Sequence, residues 1–142
     1  MPDSKEYLQF LKRVPLFTGL PEQDLERIAG TVKERQYAAG EEIVQQGRPG
    51  FSFFMILDGG VEVRRDGHVL RALEPGEFFG EIAVLDDAPR SATVVATRPT
   101  TCLAITRKDL VDILKAYPEI AVRMLGVLAR RLREWEDRYL PG

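Results

Sequence analysis

A small antiparallel β-barrel or jelly roll flanked by helices is the fold this sequence predicts, and three observations predict it. Between Val32 and Thr106, short apolar or alternating segments are separated at regular intervals by turn signals. On either side of that region the apolar residues recur at helical spacing instead. The length, 142 residues, suits one ordinary domain and is short for two. The expected organisation is a single domain over 1–142, with N-terminal helices in 1–31, a β region in 32–106 and C-terminal helices in 107–142.

The first helix is expected over Ser4 to Val14, where Tyr7, Leu8, Phe10, Leu11 and Val14 share a face and Ser4 can cap the start. A second begins near Pro21, since proline is tolerated in a first turn, carries Leu25, Ile28 and Ala29 on one face, and stops around Gly30. Ala39-Gly40-Glu41, Gln46 to Gly50, Asp58-Gly59-Gly60, Asp66-Gly67 and Glu74-Pro75-Gly76 then act as punctuation. The strands between them are expected near Glu41 to Gln45, Ser52 to Leu57, Val61 to Arg65, Val69 to Leu73, Ser91 to Thr97 and Thr101 to Thr106.

Helical periodicity returns in Lys108 to Ala116 and, after Tyr117-Pro118, in a long helix from about Glu119 to Tyr139. Ala121, Leu125, Leu128, Leu132, Trp135 and Tyr139 form a heptad seam within it. Ile120, Met124 and Val127 widen the apolar face of its first half, which is expected to pack on the β region. The narrow second half reads either as a homodimer contact or as a helix folded back on its own domain. Glu134 and Arg138 read as a solvated i,i+4 pair.

With 20 basic and 22 acidic residues the net charge is -2, so no global basic field favours DNA. Neither a secretory signal nor an apolar run long enough for a bilayer is visible, and the chain reads as a cytoplasmic protein without a membrane segment. The lone cysteine, Cys102, rules out a disulfide framework within the chain and reads as a buried structural thiol. The lone histidine, His68, reads as an exposed hairpin residue, whereas a metal-dependent β-barrel enzyme would want several inward histidines. No metal and no cofactor are expected.

The chemistry concentrates between Gly76 and Val94. Gly76 to Leu85 reads as a turn, a buried aromatic step at Phe78-Phe79, and a short helix opening at Gly80, whose N-H groups and dipole suit an anion. Arg90 follows, just before a strand, with Pro89 on one side and the small residues Ser91 and Ala92 on the other. A guanidinium there suits a two-pronged contact with phosphate oxygens. Glu81 would be repelled by the phosphate, so a sugar hydroxyl is its better partner.

Phe79-Gly80-Glu81-Ile82-Ala83 followed by Pro89-Arg90-Ser91-Ala92-Thr93-Val94 resembles the phosphate-binding cassette of the cyclic-nucleotide-binding domains, in particular the sensor domains of the bacterial cAMP receptor protein group. Tyr37 to Gly47 and Phe54 to Val63 are similar to the family's first strands and glycine turns. The resemblance covers nearly the whole chain. It implies a jelly-roll-like β-roll, a double-stranded antiparallel β-helix, with N-terminal helices, a short cassette helix within 76–94 and a long C-terminal helix. It also implies that Glu81 takes the ribose 2'-hydroxyl and Arg90 the cyclic phosphate, with Gly80, Ile82, Ala83, Ser91 and Ala92 around them.

In the resembling family, alanine or serine after the arginine goes more often with cAMP and threonine with cGMP, so Ser91 points to cAMP over cGMP. Trp135 is the candidate to stack on the base, unless it is instead buried in a helix contact. The implied function is a regulatory sensor that passes ligand binding to its C-terminal helices and to an unknown effector protein. No helix-turn-helix reader of DNA is expected in this chain. Two alternatives stand beside it: a domain of the same fold whose pocket no longer binds, with Glu81 and Arg90 as a structural ion pair, serving as a protein-interaction or dimerisation module, and a cyclic-nucleotide phosphodiesterase. The second lacks a histidine or second carboxylate placed for attack, so the chain is not expected to be an enzyme.

Overall fold

The structure is a computed structural model that describes residues 4–86 and 88–140, the side chains of residues 4, 5 and 139 excepted. Helix α1 (Ser4–Arg13) leads through a 3-10 turn (Pro15–Phe17) to α2 (Glu22–Ala29). Strands β1 (Lys33–Tyr37), β2 (Glu42–Val44), β3 (Ser52–Asp58), β4 (Val61–Arg65), β5 (His68–Leu73) and β6 (Phe78–Phe79) follow. The short helix α3 (Glu81–Asp86) precedes β7 (Thr93–Ala96) and β8 (Thr100–Thr106), and the chain continues into α4 (Arg107–Ala116) and α5 (Pro118–Tyr139). No helix among the described residues is long and apolar enough to cross a membrane.

The strands form two four-stranded antiparallel sheets, in the orders β1-β8-β3-β6 and β2-β7-β4-β5. Alternation along the central strands of the first sheet explains how the layers stack. Phe53 and Met55 of β3, with Leu103 and Ile105 of β8, face a core shared with the helices. Phe54 and Ile56, with Cys102 and Ala104, face the second sheet. Since period-two side chains point to opposite faces, a strand buried on both sides must read as an unbroken apolar run, and Phe53-Phe54-Met55-Ile56-Leu57 does. The aromatic step behaves likewise. Phe78 goes to the helix side against Phe53, and Phe79 to the inter-sheet side, where it stacks on Phe54 at 5.1 Å.

Three sequence expectations change. Strand β1 was not foreseen, because Lys33-Glu34-Arg35-Gln36-Tyr37 lies at a sheet edge and offers only half-buried residues to the core. Strand β7 begins at Thr93, so Ser91 and Ala92 precede it. The heptad seam of α5 is split: Leu128 and Trp135 turn toward the protein's own second sheet, whereas Leu125 is 64% exposed. Tyr139 keeps its backbone in the helix, but its side chain lies outside the described residues, as does that of Ser4, the expected cap. A helix drifts about 20° per heptad against a strict seven-residue repeat, so one side of the seam docks in cis, with Leu132 at the cavity as well, and the other is left as the stripe Val122, Leu125 and Ala129. His68 is exposed at the hairpin, and burial pushes the Cys102 thiol up to about 12, which keeps it unreactive.

Candidate functional site

All eight residues singled out from the sequence line one cavity of about 440 Å³: Gly80, Glu81, Ile82, Ala83, Arg90, Ser91, Ala92 and Trp135. Its floor is the second sheet, through Val44, Val63 and Val94, and its roof is α5, through Leu128, Arg131 and Trp135.

Arg90 is held by backbone from two directions. Its own N-H donates to the carbonyl of Arg48 at 2.7 Å, and its carbonyl accepts from the N-H of Gly47 at 2.8 Å, so the turn after β2 clamps the residue. The guanidinium donates from Nη1 to the Gly80 carbonyl at 3.0 Å and from Nη2 to the Ser52 carbonyl at 2.8 Å, over the face of Phe54. Gly80 is required for this. Its φ is +86°, which L side chains rarely adopt, and a Cβ there would stand 2.7 Å from Nη1. The carbonyls orient the cation without neutralising it, and a guanidinium has five N-H donors, so the group keeps both charge and donors for an anion. Burial lowers the Arg90 pKa and the charge of Glu81 opposes that shift.

Glu81 opens α3 and is 3% exposed. It does not pair with Arg90. Its Oε1 accepts from Nη1 of Arg131, on α5, at 3.3 Å, and its Oε2 is buried with no hydrogen-bond partner. A buried, orphaned carboxylate oxygen is costly, and burial raises the Glu81 pKa against the pull of Arg131. The oxygen is a standing acceptor for a hydroxyl.

Arg131 is the site residue that sequence reasoning missed. It donates to the Phe78 carbonyl at 2.7 Å and lies over the Phe78 ring, so it ties α5 to the strand that leads into α3. Arg71 of β5 adds a second tie, donating to the Arg131 carbonyl and pairing with Glu134, so Glu134 reaches beyond its own helix. A usable signal existed: Arg131 sits three residues after Leu128 and four before Trp135, and so shares their helix face. Trp135 lines the cavity at 38% exposure and is not buried between helices. Ile82 lies at the rim, half exposed.

The family model for the cyclic nucleotide-binding domain matches residues 34–117. The cyclic AMP receptor protein of Thermus thermophilus is 35% identical over 129 residues, covering 87% of this chain and 60% of that protein. The cGMP-dependent protein kinase 2 of Mus musculus is 32% identical over 142 residues, covering 95% of this chain and 19% of the kinase. The chain thus spans less than two thirds of the length of these relatives. Among solved structures, the crystal structure of the Thermus thermophilus catabolite activator protein superposes with a TM-score of 0.78 at 35% identity, covering 87% of this chain and 61% of that one.

Proposed function

The chain belongs to the cyclic nucleotide-binding domain family, and from that premise we propose that the cavity under α5 takes a cyclic nucleotide, cAMP in preference to cGMP, and passes its presence to that helix. The observation that carries the reading is Glu81: a buried carboxylate with one unsatisfied oxygen, in the same cavity as a clamped arginine. An acceptor for a sugar hydroxyl beside a cation for a phosphate is the donor and acceptor set of a nucleotide. The volume lies within the roughly 300–1,000 Å³ of small-ligand sites. Ser91 supports cAMP through the family resemblance alone.

Transmission follows from the roof. A ligand bonded to Glu81 engages the group that now anchors Arg131, so it biases how α5 sits on the β-roll. We read the site as binding without turnover, since His68, the single histidine, is not among the residues lining the cavity. The exposed stripe Val122, Leu125 and Ala129 supports a homodimer through α5. Light scattering of wild type and a Leu125→Glu variant tests it: a wild type that is already monomeric ends the idea.

A thermal-shift comparison with cAMP, cGMP and a cyclic dinucleotide tests the main reading. Ligand at about 100 times its Kd adds about 2.7 kcal/mol of stability. The expected order is cAMP first and cGMP second; no shift with any of the three overturns the proposal.

A further inference from the structure

A second cavity, about 690 Å³, runs along the other flank of α5. Arg123, Gly126, Val127, Arg130 and Glu134 share the helix face that lines it. Opposite stand Leu16 of the 3-10 turn, Arg71 of β5, and Glu77 and Phe78.

Charge is the first pointer to an occupant. Four arginines, Arg71, Arg123, Arg130 and Arg131, meet two glutamates, Glu77 and Glu134, on a chain whose net charge is -2, so the positive excess is local. Arg71 is matched by Glu134 and Arg131 by Glu81. Arg123 donates only to the Leu16 carbonyl, which does not neutralise it, and Arg130 has no partner among the described residues.

Gly126 is the second. It stands inside a 22-residue helix, where glycine is the least favourable residue after proline, yet a Cβ on it would meet nothing within 4 Å. Packing within the chain does not call for a glycine here. A bare helix backbone beside an open groove permits the close approach of another backbone. Val127 and the narrow exposed edges of the otherwise buried Leu16 and Phe78 supply apolar surface between the charges.

Spacing then selects the occupant. Arg123 and Arg130 lie seven residues apart, about 10 Å along the helix axis, a spacing that two carboxylates set apart on one segment match. In an extended peptide, residues i, i+2 and i+4 share a face and the outer two lie about 13 Å apart, within reach of two long guanidinium side chains. We propose that this groove docks an extended acidic segment of a partner polypeptide, of the pattern Glu-X-Leu-X-Glu. Its carboxylates lie on Arg123 and Arg130, its leucine on the apolar floor, and its backbone over Gly126. Arg71 and Arg131 line both cavities, so the segment and the nucleotide change each other's affinity. That consequence rests on the proposed nucleotide binding; the docking does not.

The test measures fluorescence anisotropy of a dye-labelled, end-blocked Ser-Glu-Ser-Leu-Ser-Glu-Ser peptide against the full chain at low salt, without nucleotide. Saturable binding is expected, weakened about tenfold or more by Arg123→Glu with Arg130→Glu and by Gly126→Gln, and weakened by added salt. Gly126→Ala should raise Tm while weakening the peptide, which separates a blocked groove from a damaged fold. Absence of saturable binding, equal binding by the charge-reversed variant, or equal binding of a peptide with the two glutamates adjacent overturns the proposal. So does self-association of the wild type that Gly126→Gln abolishes, which would give the groove to a second copy of this chain.

Discussion

The cassette wall and the α5 wall of the cavity that holds Glu81 and Arg90 are held by different physics. On the cassette side, Arg90 is fixed by main-chain groups of Gly47, Arg48, Ser52 and Gly80, and none of these can rearrange without disturbing a strand or a turn. On the α5 side the second half of the helix is attached by guanidinium side chains: Arg131 to Phe78 and Glu81, Arg71 to Glu134, and Arg138 to the carbonyls of Val69 and Leu70. Apolar burial along α5 ends early, with Ile120 and Met124 in the core and Leu132 57% exposed. Main-chain clamps make a preorganised recognition surface, whereas side-chain ties of a few bonds make a surface that a ligand can re-set.

Breaking the rigid wall should have the largest effect. Arg90→Ala removes the only buried cation of the cassette and should weaken cAMP binding by roughly 3 kcal/mol or more, about 150-fold, since bonds to charged groups contribute about 1.5–3 kcal/mol each. Calorimetry finding equal affinities would show that the phosphate is held elsewhere. Arg90→Lys keeps the charge but not the fork, and an intermediate loss is expected.

Trp135 asks whether the roof takes part in binding at all. Trp135→Ala should cost about 1–3 kcal/mol of nucleotide affinity if the indole stacks on the base, and wild-type tryptophan fluorescence should change on saturation. Since Trp135 is the sole tryptophan, an unchanged spectrum assigns the roof no part in recognition.

Loosening the α5 wall gives a smaller, local effect. Arg131→Gln should raise amide exchange across residues 131–138 by about tenfold while leaving β3 and β8 protected, because charge-assisted ties are lost without a core residue. Equal exchange in the two proteins would mean that apolar contacts hold the helix.

The last prediction concerns Glu81, which belongs to both walls. Burial raises its pKa above the unfolded value of 4.5, so the native chain binds the proton more tightly, and the associated stability is full below 4.5 and lost as pH rises through the folded value. The Tm of wild type minus that of Glu81→Gln should therefore be most favourable to wild type at the acid end and fall as pH rises. A difference that does not vary with pH would show that Glu81 is not held as a desolvated carboxylate.

Legibility followed burial and local chemistry. The helices over Tyr7 to Leu11 and Leu25 to Ala29, the doubly buried run of β3 and the glycine turns all carry patterns that arise within a few residues. The cassette was readable for the same reason, since Gly80, Glu81 and Arg90 lie close together in the chain. Strand β1 escaped because an edge strand places few demands on its residues. Arg131 escaped because its meaning depends on Glu81, 50 residues away, and nothing in a charged helix marks one arginine among several.

By itself the sequence determined the antiparallel β architecture with flanking helices and the cassette wall, because turn chemistry, side-chain periodicity and a positive-φ glycine are local constraints. Only the tertiary structure decided that Glu81 pairs with Arg131 rather than Arg90, that Trp135 roofs the cavity while Leu125 faces out, and that a cationic groove flanks α5. Each depends on how a straight helix is rotated as it lies across a sheet, and that rotation is set by the packing of Ile120 and Met124 against distant strands.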